Sequence, residues 1–259
     1  MYPILFDWNG IIIPAWHMFF AIGAICALYL FRNLNDRARS MTHKQVSQFY
    51  ITAYIGGYLG ARSLSIIIEE EHDSFVSSFT SLFELGAMTF YGGFIGCAIA
   101  AVAFSIFTKV SFNRLADIAI PSGFLGLSLG RIGCFLNGDD FGRAIDLRQG
   151  EAPPWWAVVF PNLQDGVYRI PSQLIEFAAV GLIVLLSVVF FNKNYATRPG
   201  VTAILAASSY AFYRYFADFL RGDQRGWIID QILTPSQLVS VIILILSGLI
   251  CLGLQRKQS

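Results

Sequence analysis

The sequence predicts an all-α polytopic membrane protein, a bundle of seven transmembrane helices that forms one domain over residues 1–259. Apolar residues make up 55% of the chain and charged residues only 14%, whereas a soluble domain carries about 25% charged residues. A helix needs about 20 predominantly apolar residues to cross a bilayer. The predicted spans cover residues 11–31, 47–68, 85–108, 115–136, 171–191, 200–219 and 235–254.

Lysine and arginine residues predict the side of the membrane that each loop faces, because positive charge collects in short cytoplasmic loops. Ten of the 18 basic residues follow the first, third, fifth and seventh spans, and these ten include all the lysines. The amino terminus is therefore predicted outside and the carboxyl terminus in the cytoplasm. No basic residue precedes the first span, so we expect this span to be retained and not cleaved as a signal peptide.

One segment between spans looks soluble. Residues 137–170, which we call the cap segment, are rich in Gly, Pro, Trp and charge and are predicted to cover the bundle outside the membrane. The net charge is +1 and no basic stripe lies outside the cytoplasmic loops, which argues against a nucleic-acid partner. The cysteines form no CxxC pair, and we see neither a ligand cluster nor a phosphate-binding glycine loop, so no metal or other cofactor is predicted.

Two of the arginines inside predicted spans lie at the same depth. Arg131 and Arg214 each lie five residues before the outer end of a span, which places them about 7–8 Å below the outer surface of the hydrocarbon. An arginine in hydrocarbon costs roughly 2.5–3.5 kcal/mol, so it persists only when it faces protein, water or an anionic ligand. Because a guanidinium can bind phosphate through two parallel hydrogen bonds, the two arginines predict a clamp for one phosphate.

The sixth span has a polar face. Tyr210, Arg214 and Asp218 follow at intervals of four residues, and Arg221 comes seven residues after Arg214. An alternative is that Arg214 and Asp218 form only an internal ion pair. The tetrapeptide Pro-Ser-Gln-Leu opens two spans, at residues 171–174 and 235–238, and helix initiation alone would explain both copies.

A longer motif runs out of the fourth span. It contains Gly130, Arg131, Gly133, Phe135, Asn137, Gly138, Phe141 and Gly142. With these residues the chain resembles the phosphatidylglycerol:prolipoprotein diacylglyceryl transferases of bacterial membranes, whose signature is G-R-x-G-N-F-x-N-G-E-x-x-G with an aromatic residue before the last glycine. The resemblance covers nearly the whole chain, through Gly60-Ala61-Arg62, Phe90-Tyr91-Gly92-Gly93, residues 156–161, residues 171–174 with Glu176, Tyr210 with Arg214, and Ser236-Gln237 with Ser240.

The resemblance implies an enzyme of the bacterial plasma membrane. It would transfer the diacylglyceryl group of phosphatidylglycerol, its cosubstrate, to the lipobox cysteine of a prolipoprotein signal peptide and release glycerol phosphate. We expect Arg131 and Arg214 to bind the phosphate, Asn137 and Asp139 to orient the glycerol hydroxyls or order the cap segment, and Tyr91 to handle the thiol proton. Further substrate contacts are expected from His17, Arg62, Gly92, Gly93, Gly142, Tyr210, Asp218 and Arg221.

The chain departs from the family pattern at polar positions. Tyr91 stands where many members carry histidine, and tyrosine titrates near pH 10 instead of about 6.5, so it would be a poor general base. Cys134 replaces the first asparagine of the signature, Asp139 its glutamate, and Ile170 a histidine often found before Pro-Ser-Gln. His17 replaces a tyrosine. The absence of histidine at position 91 and its presence at position 17 are compatible with a base that has moved to another helix, and equally with lost or changed activity. A packing role for His17 is an equal alternative.

Two other functions fit the same residues. One is a related phospholipid-dependent transferase with a different acceptor, and the other is a catalytically silent homologue that binds lipid or lipoprotein. A transporter is disfavoured, because the polar residues gather near the outer face instead of lining a path through the bilayer midplane.

Overall fold

The structure is a computed structural model that describes residues 2–8, 11–69, 89–148, 150–222 and 233–256. Over these residues the chain forms seven long α-helices, one for each predicted span, so the helical prediction is confirmed. By length and composition, five of the seven could cross a membrane, namely α1, α3, α4, α5 and α7. The helices are α1 (Ala15–Ala38), α2 (His43–Glu69), α3 (Phe90–Thr108), α4 (Phe112–Asn137), α5 (Ser172–Asn194), α6 (Val201–Ala217) and α7 (Pro235–Arg256).

The first helix begins later than predicted. Residues 11–14 were expected in the first span but form strand β2 (Ile11–Pro14), which pairs antiparallel with β1 (Ile4–Trp8). Consecutive isoleucines favour an extended chain because their side chains branch at Cβ. The prediction of a helical start at residue 11 is therefore wrong. Residues 85–88 of the third predicted span lie outside the described residues.

The chain divides into two compact units, one made of Met1–Phe31 with Asp117–Ser259 and the other of Arg32–Ala116. In the second unit, α2 packs closely on α3. A Cβ atom added to Gly56 would lie 2.8 Å from the carbonyl oxygen of Gly96, and one added to Gly60 would lie 2.8 Å from the Cα of Gly96. These glycines therefore let two helix backbones approach closely, as small residues do at helix contacts in membranes.

In the first unit, α1 lies against α4 through another pair of glycines. A Cβ atom on Gly23 would lie 2.8 Å from the carbonyl oxygen of Gly126. Farther along α4, a Cβ atom on Gly133 would lie 3.0 Å from the Cβ of Phe19. Gly126 and Gly133, two glycines of the fourth predicted span, therefore allow α1 and α4 to pack closely.

A buried carboxylate joins α4 to α6. Asp117 on α4 accepts hydrogen bonds from the backbone N–H groups of Gly200, at 2.6 Å, and Ala203, at 2.8 Å. These N–H groups belong to the first turn of α6, where they have no partner within the helix. Asp117 therefore fixes the start of the helix that carries Arg214 against the helix that carries Arg131.

The cap segment is short and mostly irregular. Strand β3 (Val158–Val159) pairs antiparallel with β4 (Tyr168–Arg169), and a 3₁₀ turn (Pro161–Leu163) lies between them. Arg169 donates hydrogen bonds of 3.0 and 2.6 Å to the two carboxylate oxygens of Asp165, and this pairing holds the pKa of Asp165 below its usual range. The cap segment thus has its own hairpin, closed by an ion pair.

Candidate functional site

Three arginines and three carboxylates meet in the first unit, where α4, α5, α6 and α7 approach the cap segment. We call this group the arginine–carboxylate cluster. Ion pairs of 2.5 to 3.1 Å link four of its charged side chains, and a separate ion pair of 3.3 Å joins Arg214 to Asp218. Its members are Arg131, Asp140, Glu176, Arg214, Asp218 and Arg221.

Arg131 is held by two carboxylates from different parts of the chain. Its Nη1 donates a hydrogen bond of 2.5 Å to Oδ2 of Asp140, just after α4. Its Nε lies 3.1 Å from Oε2 of Glu176 on α5, within ion-pair distance but without the alignment of a hydrogen bond to any described residue. The other oxygen of Glu176 accepts a hydrogen bond of 3.2 Å from the hydroxyl of Tyr210. Glu176 thus connects the predicted phosphate arginine of α4 to the polar face of α6.

Arg214 keeps part of its hydrogen-bonding capacity. Its Nη2 donates a hydrogen bond of 3.0 Å to Oγ of Ser236 and lies 3.3 Å from Oδ1 of Asp218. The other oxygen of Asp218 accepts a hydrogen bond from Thr234, next to the start of α7. The internal ion pair expected as an alternative therefore exists, but Nη1 of Arg214 is buried and has no hydrogen-bond partner among the described residues. A buried unsatisfied donor of this kind is costly and suits an anionic ligand.

Arg221 reaches the cluster through a backbone bridge to the cap segment. Gly142 forms an antiparallel bridge with Arg221, and the N–H of Gly222 donates to the carbonyl oxygen of Phe141 at 3.0 Å. A Cβ atom on Gly142 would lie 2.8 Å from the Cβ of Ile170. The last glycine of the signature is therefore required for packing. This bridge brings Nη2 of Arg221 to 2.5 Å from the carboxylate of Asp140.

The two Pro-Ser-Gln motifs do more than start helices. In the first copy, Oγ of Ser172 donates to the backbone oxygen of Asp140 at 2.8 Å, and Nε2 of Gln173 donates to that of Asp139 at 2.6 Å. In the second copy, Ser236 accepts the hydrogen bond from Arg214. Each motif thus holds one part of the arginine–carboxylate cluster, a function that the helix-start pattern did not predict.

Asp139, predicted as a catalytic residue, forms no ion pair with an arginine among the described residues, whereas its neighbour Asp140 forms two. It is exposed, and its carboxylate accepts a hydrogen bond from the side-chain amide of Asn137. The carboxylate that contacts Arg131 and Arg221 belongs to Asp140, which sequence reasoning missed. Glu176 could have been singled out from the sequence, because an acid inside an apolar helix needs a partner.

A narrow crevice opens beside the cluster. Charged and hydroxyl-bearing side chains line it together with apolar ones, so a ligand there would meet cations and carboxylates at once. The lining residues are Ser172, Ile175, Glu176, Tyr213, Arg214, Ala217, Leu220 and Arg221.

Four other predicted site residues lie in the second unit. Arg62 on α2 is 3% exposed, and Tyr91 is half-buried in the first turn of α3. A Cβ atom on Gly92 would lie 2.7 Å from the Cβ of Leu64, whereas one on Gly93 would lie 3.5 Å or more from every other atom. Close packing therefore accounts for Gly92 but not for Gly93.

His17 lies in the first unit, near the start of α1. It is exposed, and its ring meets that of Trp16 edge-on with centroids 5.2 Å apart. The structure thus places His17 in an aromatic contact, which fits the packing role considered above.

Comparison with known proteins agrees with this architecture. A family profile for prolipoprotein diacylglyceryl transferase matches residues 3–253. The phosphatidylglycerol–prolipoprotein diacylglyceryl transferase of Mannheimia succiniciproducens is 30% identical over 99% of this chain and 94% of its own length. The protein of the same name from Coxiella burnetii is 30% identical over 95% of this chain and 90% of its own length. The one from Pseudomonas fluorescens is 31% identical over 81% of this chain and 76% of its own length. The chain belongs to the prolipoprotein diacylglyceryl transferase family.

Proposed function

We propose that this protein transfers the diacylglyceryl group of phosphatidylglycerol to the lipobox cysteine of prolipoproteins, the first step of lipoprotein maturation. Family membership supports the reaction class. The observation that carries the proposal is the arginine–carboxylate cluster, in which Arg214 keeps a buried donor unpaired among the described residues. An apolar helical protein has little use for such a donor unless it meets an anion.

In the proposed reaction, the cysteine sulfur attacks the sn-3 carbon of the diacylglyceryl group. A carbon–sulfur bond forms, the carbon–oxygen bond to the phosphate breaks, and glycerol phosphate leaves. Negative charge develops on the departing phosphate oxygen, where fixed cations in a water-poor site lower the barrier. Arg131 and Arg214 supply these cations in the proposal, and phosphatidylglycerol is the cosubstrate with no other cofactor.

The proton of the thiol needs an acceptor, and Tyr91 is the proposed participant. Tyrosine is a weak base at neutral pH, so its part is a hydrogen bond to the thiol or to a proton-carrying water. Asn137 and Asp139, which pair with each other beside the cluster, are proposed to meet the glycerol hydroxyls. Arg62, Gly93 and His17 remain candidates for substrate contacts.

The carboxylates explain how the arginines can exist before substrate arrives. Arg131, Arg214 and Arg221 carry three positive charges, and Asp140, Glu176 and Asp218 carry three negative ones. Burying isolated charges is prohibitive, whereas paired charges are tolerated. The charges of the cluster thus balance among the described residues, and its cations become available when a phosphate competes for them.

We place the protein in the bacterial plasma membrane with seven spans, the amino terminus outside and the site facing the extracytoplasmic side. The distribution of lysine and arginine supports this orientation. Helices α2 and α6 are less apolar or shorter than the other five, and α6 carries the polar face that its role requires. Attaching an alkaline phosphatase reporter to the carboxyl terminus tests the orientation, since the reporter should be inactive there.

The decisive experiment is mass spectrometry of a lipobox peptide incubated with the purified protein and phosphatidylglycerol. We expect a diacylglyceryl adduct on the cysteine, and none with a peptide whose cysteine is replaced by serine. The Arg131→Ala variant should form no adduct, whereas Arg148→Ala, in an exposed part of the cap segment, should form it normally. Full activity of Arg131→Ala would remove Arg131 from phosphate binding.

A silent lipid-binding homologue is the second candidate, and the substitutions at Tyr91 and Cys134 favour it. Both replace polar residues of the family pattern, and a binder needs the cluster but no proton acceptor. Absence of the adduct, together with retained binding of phosphatidylglycerol, would favour this candidate or a transferase with a different acceptor.

A further inference from the structure

Asp140 bridges two arginines that approach from different parts of the chain. Its Oδ2 lies 2.5 Å from Nη1 of Arg131, and its Oδ1 lies 2.5 Å from Nη2 of Arg221. The signature of the family leaves this position open, directly after its glutamate. The bridge is therefore a property of this chain that the family motif does not specify.

The carboxylate of Asp140 has the features of the ligand proposed for this site. A carboxylate and a phosphodiester each offer two equivalent oxygens that share one negative charge, and guanidinium groups bind both through paired hydrogen bonds. With one oxygen on Arg131 and the other on Arg221, Asp140 occupies one of the two arginines proposed to bind the phosphate and links it to a third arginine of the cluster.

Asp140 is also the carboxylate of the cluster that can leave most easily. Its side chain is 24% exposed, whereas those of Glu176 and Asp218 are 4% and 6% exposed. The cost of separating a charged pair increases with burial, because water cannot replace the lost partner. An anion entering the cluster would therefore displace Asp140 before either of the other acids.

The backbone at this point is anchored, so only the side chain has to move. Ser172 donates to the carbonyl oxygen of Asp140, and Gln173 donates to that of Asp139. Rotation of the Asp140 side chain between staggered conformations would carry the carboxylate into water without unfolding the loop.

We propose that Asp140 is an internal anion that holds Arg131, one of the two arginines proposed to bind the phosphate, together with Arg221, and yields both to the phospholipid headgroup. This proposal rests on the proposed function, because it assumes that the arginines bind phosphate. When Asp140 leaves, the cluster carries one net positive charge, and a phosphodiester restores neutrality. After the reaction, the returning carboxylate competes with glycerol phosphate and helps to expel it. Asp140 thus sets the affinity of the site for anions.

Removing the charge of Asp140 should therefore strengthen anion binding. We would measure binding of inorganic phosphate to the purified full-length protein by isothermal titration calorimetry, for wild type, Asp140→Asn and Asp146→Asn. Asp146 is the matched control, because it has the same charge and lies in an exposed part of the cap segment. We expect Asp140→Asn to bind phosphate about tenfold or more tightly, and Asp146→Asn to change affinity less than about threefold, since only a contacting charge competes directly.

Three results would overturn the proposal. Weaker or unchanged binding by Asp140→Asn would show that Asp140 positions the arginines instead of competing for them. An equal gain in Asp146→Asn would show a general charge effect, and no phosphate binding by any of the proteins would show that the cluster is not an anion site. Asp140→Ser provides a second variant, and a thermal unfolding midpoint for each protein verifies that it is folded.

The same proteins separate this inference from the proposed function, because phosphate binding requires no thiol acceptor. Tighter phosphate binding by Asp140→Asn without any lipobox adduct would support the internal anion and reject the transferase. An adduct without the gain specific to Asp140 would do the reverse. With transferase activity present, Asp140→Asn should also lower the KM for phosphatidylglycerol and increase inhibition by glycerol phosphate.

Discussion

The guanidinium of Arg214 is oriented by Ser236, whose Oγ accepts a hydrogen bond of 3.0 Å from Nη2. Ser236 is 3% exposed and is the second residue of α7. This hydrogen bond between α6 and α7 therefore fixes the direction of Arg214, one of the two arginines proposed to bind the phosphate. The other guanidinium nitrogen, Nη1, has no hydrogen-bond partner among the described residues, and in the proposed function this nitrogen contacts the phosphate in the orientation that Ser236 sets.

Replacing Ser236 with alanine should therefore lower transfer activity without unfolding the protein. A hydrogen bond to a charged group is worth about 1.5–3 kcal/mol, and losing it leaves Arg214 less well oriented. We expect kcat/KM for the lipobox peptide to fall about tenfold, since about 1.4 kcal/mol corresponds to that factor. Ser240→Ala is the control, because among the described residues Ser240 donates its hydrogen bond to the backbone oxygen of Ser236 within α7. Equal losses in both variants would contradict a specific effect on Arg214.

Replacing Arg131 with lysine tests the geometry of the proposed phosphate site while keeping its charge. Lysine lacks the planar fork that binds two oxygens at once, and removing one donor to a developing oxyanion typically costs about 100- to 1000-fold in rate. We expect kcat to fall about 100-fold or more, measured by the appearance of the diacylglyceryl peptide. Arg148→Lys, in the exposed part of the cap segment, should retain activity. A loss below about tenfold would show that charge alone suffices.

The long helices could be predicted because their apolar length is a strong signal in a membrane protein. Residues 11–14 were misassigned for a related reason. A short run of isoleucines is apolar in either a strand or a helix, and only the pairing with Ile4–Trp8 distinguishes the two.

The candidate site was predictable in part. Arg131 and Arg214 stood out because a charge in an apolar helix needs a partner. Asp140 did not stand out, because the family signature specifies an acid at the position of its neighbour Asp139 and leaves position 140 open. The choice between these neighbours depends on a φ of 58° at Asp140 and on hydrogen bonds from residues more than 30 positions away. Contacts of this kind leave no periodic pattern in the sequence.

Tyr91 is the proposed participant in thiol chemistry, and its two replacements should differ in effect. Tyr91→Phe removes only the hydroxyl, and loss of a group that assists proton transfer costs about 100- to 10,000-fold. Tyr91→His restores the side chain that many family members carry, which titrates near pH 6.5. We expect turnover of the lipobox peptide to fall in Tyr91→Phe and to be retained or raised in Tyr91→His. Unchanged turnover in Tyr91→Phe would exclude the hydroxyl from the reaction.

The adjacent glycines of α3 should respond differently to alanine, although both were predicted as substrate contacts. A Cβ atom on Gly92 would meet the Cβ of Leu64 at 2.7 Å, whereas one on Gly93 would meet its nearest atom at 3.5 Å. Overpacking costs about 1–3 kcal/mol, so we expect a lower thermal unfolding midpoint for Gly92→Ala in detergent and little change for Gly93→Ala. Lost transfer activity in a stable Gly93→Ala would support space for a ligand there. Equal midpoints for Gly92→Ala and wild type would contradict the close packing of α2 on α3.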